Sequence, residues 1–123
     1  MRFLLHGNFG DGTAGQFREQ GHVAVTAAEV DLPADAKPAD VLEVGRKQQY
    51  ELVVSTREDL DALLPKSGAK DIFGRVLVFL RDEPADHALA VMRLFERYKR
   101  LTPGRLYTVS SGRVKVSQLP GAL

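Results

Sequence analysis

Near the start of the chain, Gly10, Asp11, Gly12, Thr13, Ala14 and Gly15 spell G-x-G-x-x-G. Glu29 and Asp31 follow at roughly the interval of a ribose-binding acid. In a dinucleotide site the chemistry would be backbone amides and a helix N-terminus turned toward a pyrophosphate, with glycine permitting close approach. Gly7, Asn8 and Phe9 separate this pattern from the strand that would precede it, and 123 residues are too few for two mononucleotide-binding halves. A turn that needs glycine for its dihedrals is the favoured reading.

Other groups able to do chemistry follow two apolar runs: His6 and Asn8 after the first, Ser55, Arg57 and Asp59 after the second. His6 can bind a phosphate when charged, ligate a metal when neutral, or simply fill a strand end. Asp59 is either a metal ligand or the acid of a capping pattern begun by Thr56. Arg57 is either a phosphate clamp or a first-turn residue facing solvent or Asp59. Asn8 is of the type that holds a turn through side-chain to backbone hydrogen bonds. His22 and His87 have no sequence neighbours that would complete a metal set. Cysteine is absent, which excludes disulfides, thiolate nucleophiles and Cys-based zinc sites and suits a reducing cytoplasm.

Charge is unevenly placed although the net charge is only +1. Residues 28–43 carry Glu29, Asp31, Asp35, Asp40 and Glu43 against Lys37. Residues 93–115 carry Arg93, Arg97, Lys99, Arg100, Arg105, Arg113 and Lys115 against Glu96. The basic segment reads either as a nucleic-acid face or as a solvated helix face followed by a basic strand. Tyr98 and Tyr107 lie near these cations and could stack bases, though Tyr98 falls at core spacing.

The elements that must position these groups alternate. Residues 2–6 form a strand, 7–12 a loop, and a helix capped by Asp11 or Thr13, with Gln16 as capping-box partner, runs to Gly21. A strand follows over 22–26, then an acidic connection over 27–37, and Pro38 opens a helix with Val41, Leu42 and Gly45 on one face. The run 52–55 is a buried strand, and Ser55 with Glu58, or Thr56 with Asp59, caps the next helix. Leu60, Leu63 and Leu64 form its buried side; Pro65 ends it, and a polar turn covers 66–71. Residues 76–80 are the clearest buried strand. Asp82, Glu83 and Pro84 then start a helix with Ala88, Val91, Met92, Phe95 and Tyr98 at helical spacing. Two last strands, 106–109 and 114–116, make a hairpin.

This order predicts one α/β domain over residues 1–123, a largely parallel sheet with helices on both faces and right-handed crossovers. Ligands then belong beyond the strand ends at 6–12, 27–31 and 55–59. An apolar content of 44% is that of a globular protein, the N-terminal apolar run is far shorter than a secretory h-region, and no run approaches the ~20 apolar residues of a membrane span.

Several segments together resemble one family: MRFLLHGN at 1–8, REQGHV at 18–23, LVVSTREDL at 52–60, GRVLVFLR at 74–81, LFERY at 94–98, GRLYTV at 104–109 and GRVKV at 112–116. In their order and spacing they are similar to the bacterial PIN-like domains related to toxin-type ribonucleases. The resemblance runs nearly end to end and implies a PIN-like three-layer sandwich. It also implies carboxylates at the ends of the first and third strands and on the second helix, holding Mg²⁺ or Mn²⁺ ions that activate water and stabilise charge on phosphate. Here His6 stands in the first-strand acid position and Gly7 follows it, while Asn8 matches. The third-strand pattern appears as Ser55, Arg57 and Asp59, so the hydroxyl and the second acid are kept and the first acid is replaced. The second-helix acid falls near Pro38, with Asp40 the nearest substitute.

The resemblance thus implies a PIN-like protein with weak or lost metal-dependent RNase activity and a nucleic-acid or partner-binding role. Two alternatives stay open. One is an active Mg- or Mn-dependent ribonuclease using Asp59, Asp40 and His6. The other is a phosphate- or nucleotide-binding module built from the glycine-rich loop, His6 and Arg57. The ligand pocket expected is His6, Asn8, Ser55 and Arg57. Expected partners are RNA, a small antitoxin-like protein or a second copy of the chain, in the cytoplasm and without a membrane.

Overall fold

The computed structural model describes residues 1–33, 35–64 and 75–119. Six strands form one sheet: β1 (Arg2–Leu5), β2 (Val23–Thr26), β3 (Glu51–Val54), β4 (Leu77–Leu80), β5 (Arg105–Ser110) and β6 (Arg113–Gln118). Four α-helices connect them: α1 (Thr13–Glu19), α2 (Pro38–Gln48), α3 (Arg57–Leu63) and α4 (His87–Arg97). Short 3-10 turns at Ala28–Val30 and Pro84–Asp86 precede α2 and α4. The strand order is β2-β1-β3-β4-β5-β6; all neighbours are parallel except β5 and β6, the antiparallel C-terminal hairpin. Pro65 as a helix stop and the polar turn at 66–71 lie outside the described residues.

Strand side chains alternate between two apolar clusters, as the two-residue period requires. Phe3, Leu5, Val53, Val78 and Leu80 face one side with Phe17 of α1 and Val91, Leu94 and Phe95 of α4. Leu4, Leu52, Val54, Leu77 and Phe79 face the other with Val41 of α2 and Leu60 and Leu63 of α3. The central strands are covered on both sides, hence their nearly unbroken apolar sequence. The buried stripe of α4 is His87, Ala90, Val91, Leu94 and Phe95, with Ala88 and Met92 only half-buried, so its inward face is centred one residue from the expected one.

Local capping differs at α1. Gly12, in the left-handed region at φ 79°, precedes the helix without a side-chain cap. Neither Asp11 nor Thr13 caps it. Thr13 is instead its first residue and its hydroxyl donates back to the Gly10 carbonyl at 2.7 Å. At α3 the Thr56 hydroxyl accepts the Asp59 amide at 3.1 Å, one of the two capping patterns expected there. The hairpin turns at Ser111 (φ 48°) and Gly112 (φ 81°), the two left-handed residues of a two-residue turn that matches strand twist.

One connection breaks the expected handedness. From β1 to β2 the chain crosses over α1 in one direction, and from β4 to β5 it crosses over α4 in the other direction on the same face. The two crossovers therefore have opposite hands. Those through α2 and α3 run in the β4-to-β5 direction but on the opposite face, so they share the hand of the first. The β4–α4–β5 connection therefore has the hand opposite to the other three, which corrects the expectation of uniform crossovers; the right-handed rule makes it the left-handed one. The cause lies in packing: Phe95 sits 5.8 Å from Phe17 and 6.3 Å from Phe3, ring centre to ring centre, and this contact draws α4 to the α1 side.

His22 closes the same aromatic group. Its ring stacks on Phe95 at 4.8 Å and meets Phe3 edge-on. Burial, and then the positive Met1 amino group 3.2 Å from Nδ1, hold the imidazole below its ordinary value of 6.5. The lowered value means that the unfolded chain takes the proton first, so this group leaves stability intact above pH 6.5 and erodes it as pH falls below that. Glu51 acts in the opposite sense, since burial raises its carboxyl despite the Val76 amide donating to it at 2.8 Å. Thermal melts stepped from about pH 7.5 to about pH 5.5 are expected to show a falling Tm that His22→Gln flattens. An unchanged slope in that variant would place the acid sensitivity elsewhere.

Candidate functional site

β1 and β3 are adjacent, yet the chain leaves them for opposite faces: α1 from the first, α3 from the second. At such a switch point the two loops part and leave a crevice beyond the strand ends. The crevice here has a volume of about 590 Å³ and is lined by His6, Gly7 and Asn8, by Thr26 to Ala28 with Leu32, and by Thr56, Glu58 and Asp59. All three strand ends marked in the sequence contribute to it.

Its floor is tightly built. The His6 amide donates to the Val53 carbonyl at 2.9 Å, continuing the β1–β3 ladder and burying the ring to 7% exposure. Nδ1 of that ring is buried without a hydrogen-bond partner among the described residues. Gly7 has φ 124°, and a Cβ there would stand 3.1 Å from Asp59 Oδ2 and 3.3 Å from Ser55 Oγ. The Ser55 hydroxyl donates to the Asn8 carbonyl at 2.9 Å and ties the β1 loop to the end of β3. His6, Asn8, Ser55 and Asp59 are therefore brought together, but Asn8 acts through its backbone.

Two expected members are elsewhere. Arg57 lines a separate groove, with its guanidinium carbon 5.8 Å from the centre of the Phe79 ring. Leu60 is one of the two buried residues of the same helix, and Arg57, three positions earlier, lines the same groove with it rather than the crevice. Asp40 is exposed in the first turn of α2 and is not among the crevice residues. Val41 takes the inward position, and the residue before it is rotated by about 100° away.

Among the described residues no three His, Asp or Glu side chains come together as a metal set. A Mg²⁺ or Mn²⁺ ion calls for several oxygen ligands, whereas the crevice holds His6 and Asp59 with an exposed Glu58. These residues do not fit the set of carboxylates from two strand ends and the second helix that the family resemblance implies.

The glycine-rich loop lines a second cavity of about 560 Å³, together with Arg18, Thr26 and Glu29. Two of the groups a dinucleotide would use are engaged within the chain. The Gly10 amide donates to His87 Nδ1 at 3.3 Å, which places the ring proton on Nε2, where it donates to the Asp82 carbonyl at 2.9 Å. Glu29 Oε1 accepts from the Thr26 amide at 3.1 Å and hydroxyl at 3.2 Å. The Thr26 amide first, then its hydroxyl and Arg18, hold this carboxyl below its ordinary value. Any Cβ at Gly10 would overlap the Pro84 carbonyl, so glycine is demanded by the loop's contact with the 3-10 turn before α4. A Cβ at Gly15 would meet nothing within 4 Å.

His87, 1% exposed, is the clamp that sequence reasoning missed. Its partner is 77 residues away, and no local pattern connects them. Comparison of the chain with protein-family models, with curated proteins and with solved structures finds no match.

The two glycines separate a structural loop from a phosphate-binding one. Gly10→Ala is expected to cost about 3 kcal/mol, because the backbone of the 3-10 turn must move. Gly15→Ala, inside α1, is expected to gain about 0.5–1 kcal/mol from helix propensity. Urea unfolding of both variants checks this; equal losses would mean that Gly15 carries a contact of its own.

Proposed function

We propose that this chain is a PIN-like domain of the three-layer type, related to toxin-type ribonucleases, in which the acidic metal site is reduced to Asp59 and the surviving role is to bind nucleic acid. The observation that carries this reading is the switch-point crevice with His6 at the position of the first acid. Its buried ring has an unpartnered Nδ1, and Asp59 is the carboxylate within reach of Gly7 and Ser55. An imidazole with one close carboxylate is a weak set for a hard cation, which wants oxygens and near-octahedral order. Metal-assisted hydrolysis of a phosphodiester loses its source of activated water when that cation is not held. What the crevice retains is one buried ring nitrogen, the Asp59 carboxylate with an exposed Glu58 beside it, and at its edge the Ser55 hydroxyl already committed to the Asn8 carbonyl.

The test is a metal titration of the intact chain by thermal shift, paired with cleavage of an end-labelled single-stranded RNA. A ligand at 100 times its dissociation constant adds about 2.7 kcal/mol of stability, so even modest Mn²⁺ binding would register. The wild-type chain is expected to show neither a Mn²⁺-dependent Tm rise nor metal-dependent cleavage. His6→Asp, which restores a second carboxylate beside Asp59, is expected to raise Tm in Mn²⁺ but not in EDTA. Wild-type cleavage that requires metal and disappears in Asp59→Ala would overturn the reading in favour of an active nuclease.

A further inference from the structure

The left-handed β4–α4–β5 crossover puts α4 on the α1 side, and α2 and α3 cover β1, β3 and β4 on the other. No described helix packs over the second face of the β5–β6 hairpin. The pairings Leu106 with Ser117, Thr108 with Lys115 and Ser110 with Arg113 put these six side chains on that face, opposite Tyr107 and Val109 in the core. Two adjoining grooves run across it. One, of about 420 Å³, is lined by Arg81, Thr108, Ser110, Ser111, Arg113 and Lys115. The other shares Arg81, Thr108 and Lys115 and continues past Ser117 and Leu106 to Arg57 at the start of α3.

Arg57, Arg81, Arg113 and Lys115 are all exposed, and none pairs with a carboxylate among the described residues. Among the described residues no carboxylate lines either groove. Asp82, next to Arg81, is turned to the hairpin backbone, where Oδ1 accepts the Ser111 amide at 2.8 Å, and Glu58, next to Arg57, lines the crevice. Hydroxyls of Thr108, Ser110, Ser111 and Ser117 stand between the cations. Arg113 and Lys115 are same-face neighbours on β6, about 6.8 Å apart along the strand, and Arg81 and Arg57 adjoin them in the two grooves.

We infer that this groove binds the phosphate backbone of a single-stranded nucleic acid. Four cations without carboxylate partners, lining two adjoining grooves with hydroxyl donors, are complementary to a polyanion. The aromatic on the groove wall, Phe79, is 3% exposed and offers no ring for base stacking, so recognition is by backbone and independent of sequence. An anionic membrane fits less well, since the groove walls present no exposed large apolar side chain for insertion. The inference shares with the proposed function the expectation of a nucleic-acid ligand, but it rests on residues apart from the crevice.

Fluorescence anisotropy of labelled 12-mers of poly(U) and poly(A) RNA, with the full chain in EDTA, tests it without reference to any metal site. Each neutralised phosphate on a single strand contributes about −0.7 to the slope of log K against log salt. Four cations therefore give a slope near −3, roughly a fifty-fold loss between about 50 and 200 mM salt. The two oligomers are expected to bind alike. Arg81→Gln with Lys115→Gln should halve the slope and weaken binding about tenfold or more, with an unchanged melting curve. Arg97→Gln with Arg100→Gln, removing as much charge from the end of α4, should change affinity by less than about twofold. Equal losses in both double variants, a strong preference between the oligomers, or equally effective competition by polyglutamate or phosphatidylserine vesicles would each overturn the groove assignment. Failure here leaves Asp59 and the metal titration untouched, and a metal-dependent result there leaves binding in EDTA untouched.

Discussion

Packing of Phe95 on Phe17 and Phe3 is the contact on which the functional surfaces depend. It sets α4 on the same side of the sheet as α1 and forces one crossover against the usual hand, an arrangement that needs a strong apolar contact to hold it. The start of α4 is then beside the glycine-rich loop, where Pro84 packs on Gly10 and His87 takes the Gly10 amide. The same placement leaves the far face of the hairpin without a helix among the described residues. A right-handed connection would have set α4 over Thr108 and Lys115 and left the α1 side bare.

Elements were legible wherever a local pattern determines them. The four-residue strands, the Pro38 start of α2, the Thr56 cap and the hairpin follow from burial on both faces, proline at the first helical position, a hydroxyl three residues before an acid, and Gly112 in the turn. Relations between distant residues were not. The side on which α4 packs is decided by aromatic contacts between residues 78 and 92 positions apart, and the clamp between Gly10 and His87 has no local signature. The α1 cap was misassigned because Thr13 has the right chemistry for a cap but spends its hydroxyl on Gly10, with Gly12 making the turn.

The candidate site divides in the same way. Convergence of His6, Asn8, Ser55 and Asp59 follows from their common place at the ends of neighbouring parallel strands, so strand ends alone locate them. Arg57 is only two residues from Asp59 and still serves a different surface, because successive helical positions are about 100° apart. The basic segment 93–115 likewise is not one face. Arg113 and Lys115 line the groove, whereas Arg105 shares the strand side of Tyr107 and Val109, and Arg93 lies near Gly112 on α4. The groove instead recruits Arg57 and Arg81 from ends of other elements, which no linear count of charge reveals.

The first turn of α3 consequently separates two electrostatic environments. Thr56, Glu58 and Asp59 border the crevice, and Arg57 borders the groove, so charge changes sign across one helical turn. A polyanion following the cations from Arg113 to Arg57 meets carboxylates if it continues across that turn, and without a cation to screen them those carboxylates repel it. In a metal-loaded site the same carboxylates would be neutralised and would draw phosphate in. On the proposed reading the crevice, with no metal held, is a barrier to a phosphate strand, and the hairpin face is the electrostatically favoured place for that strand to rest.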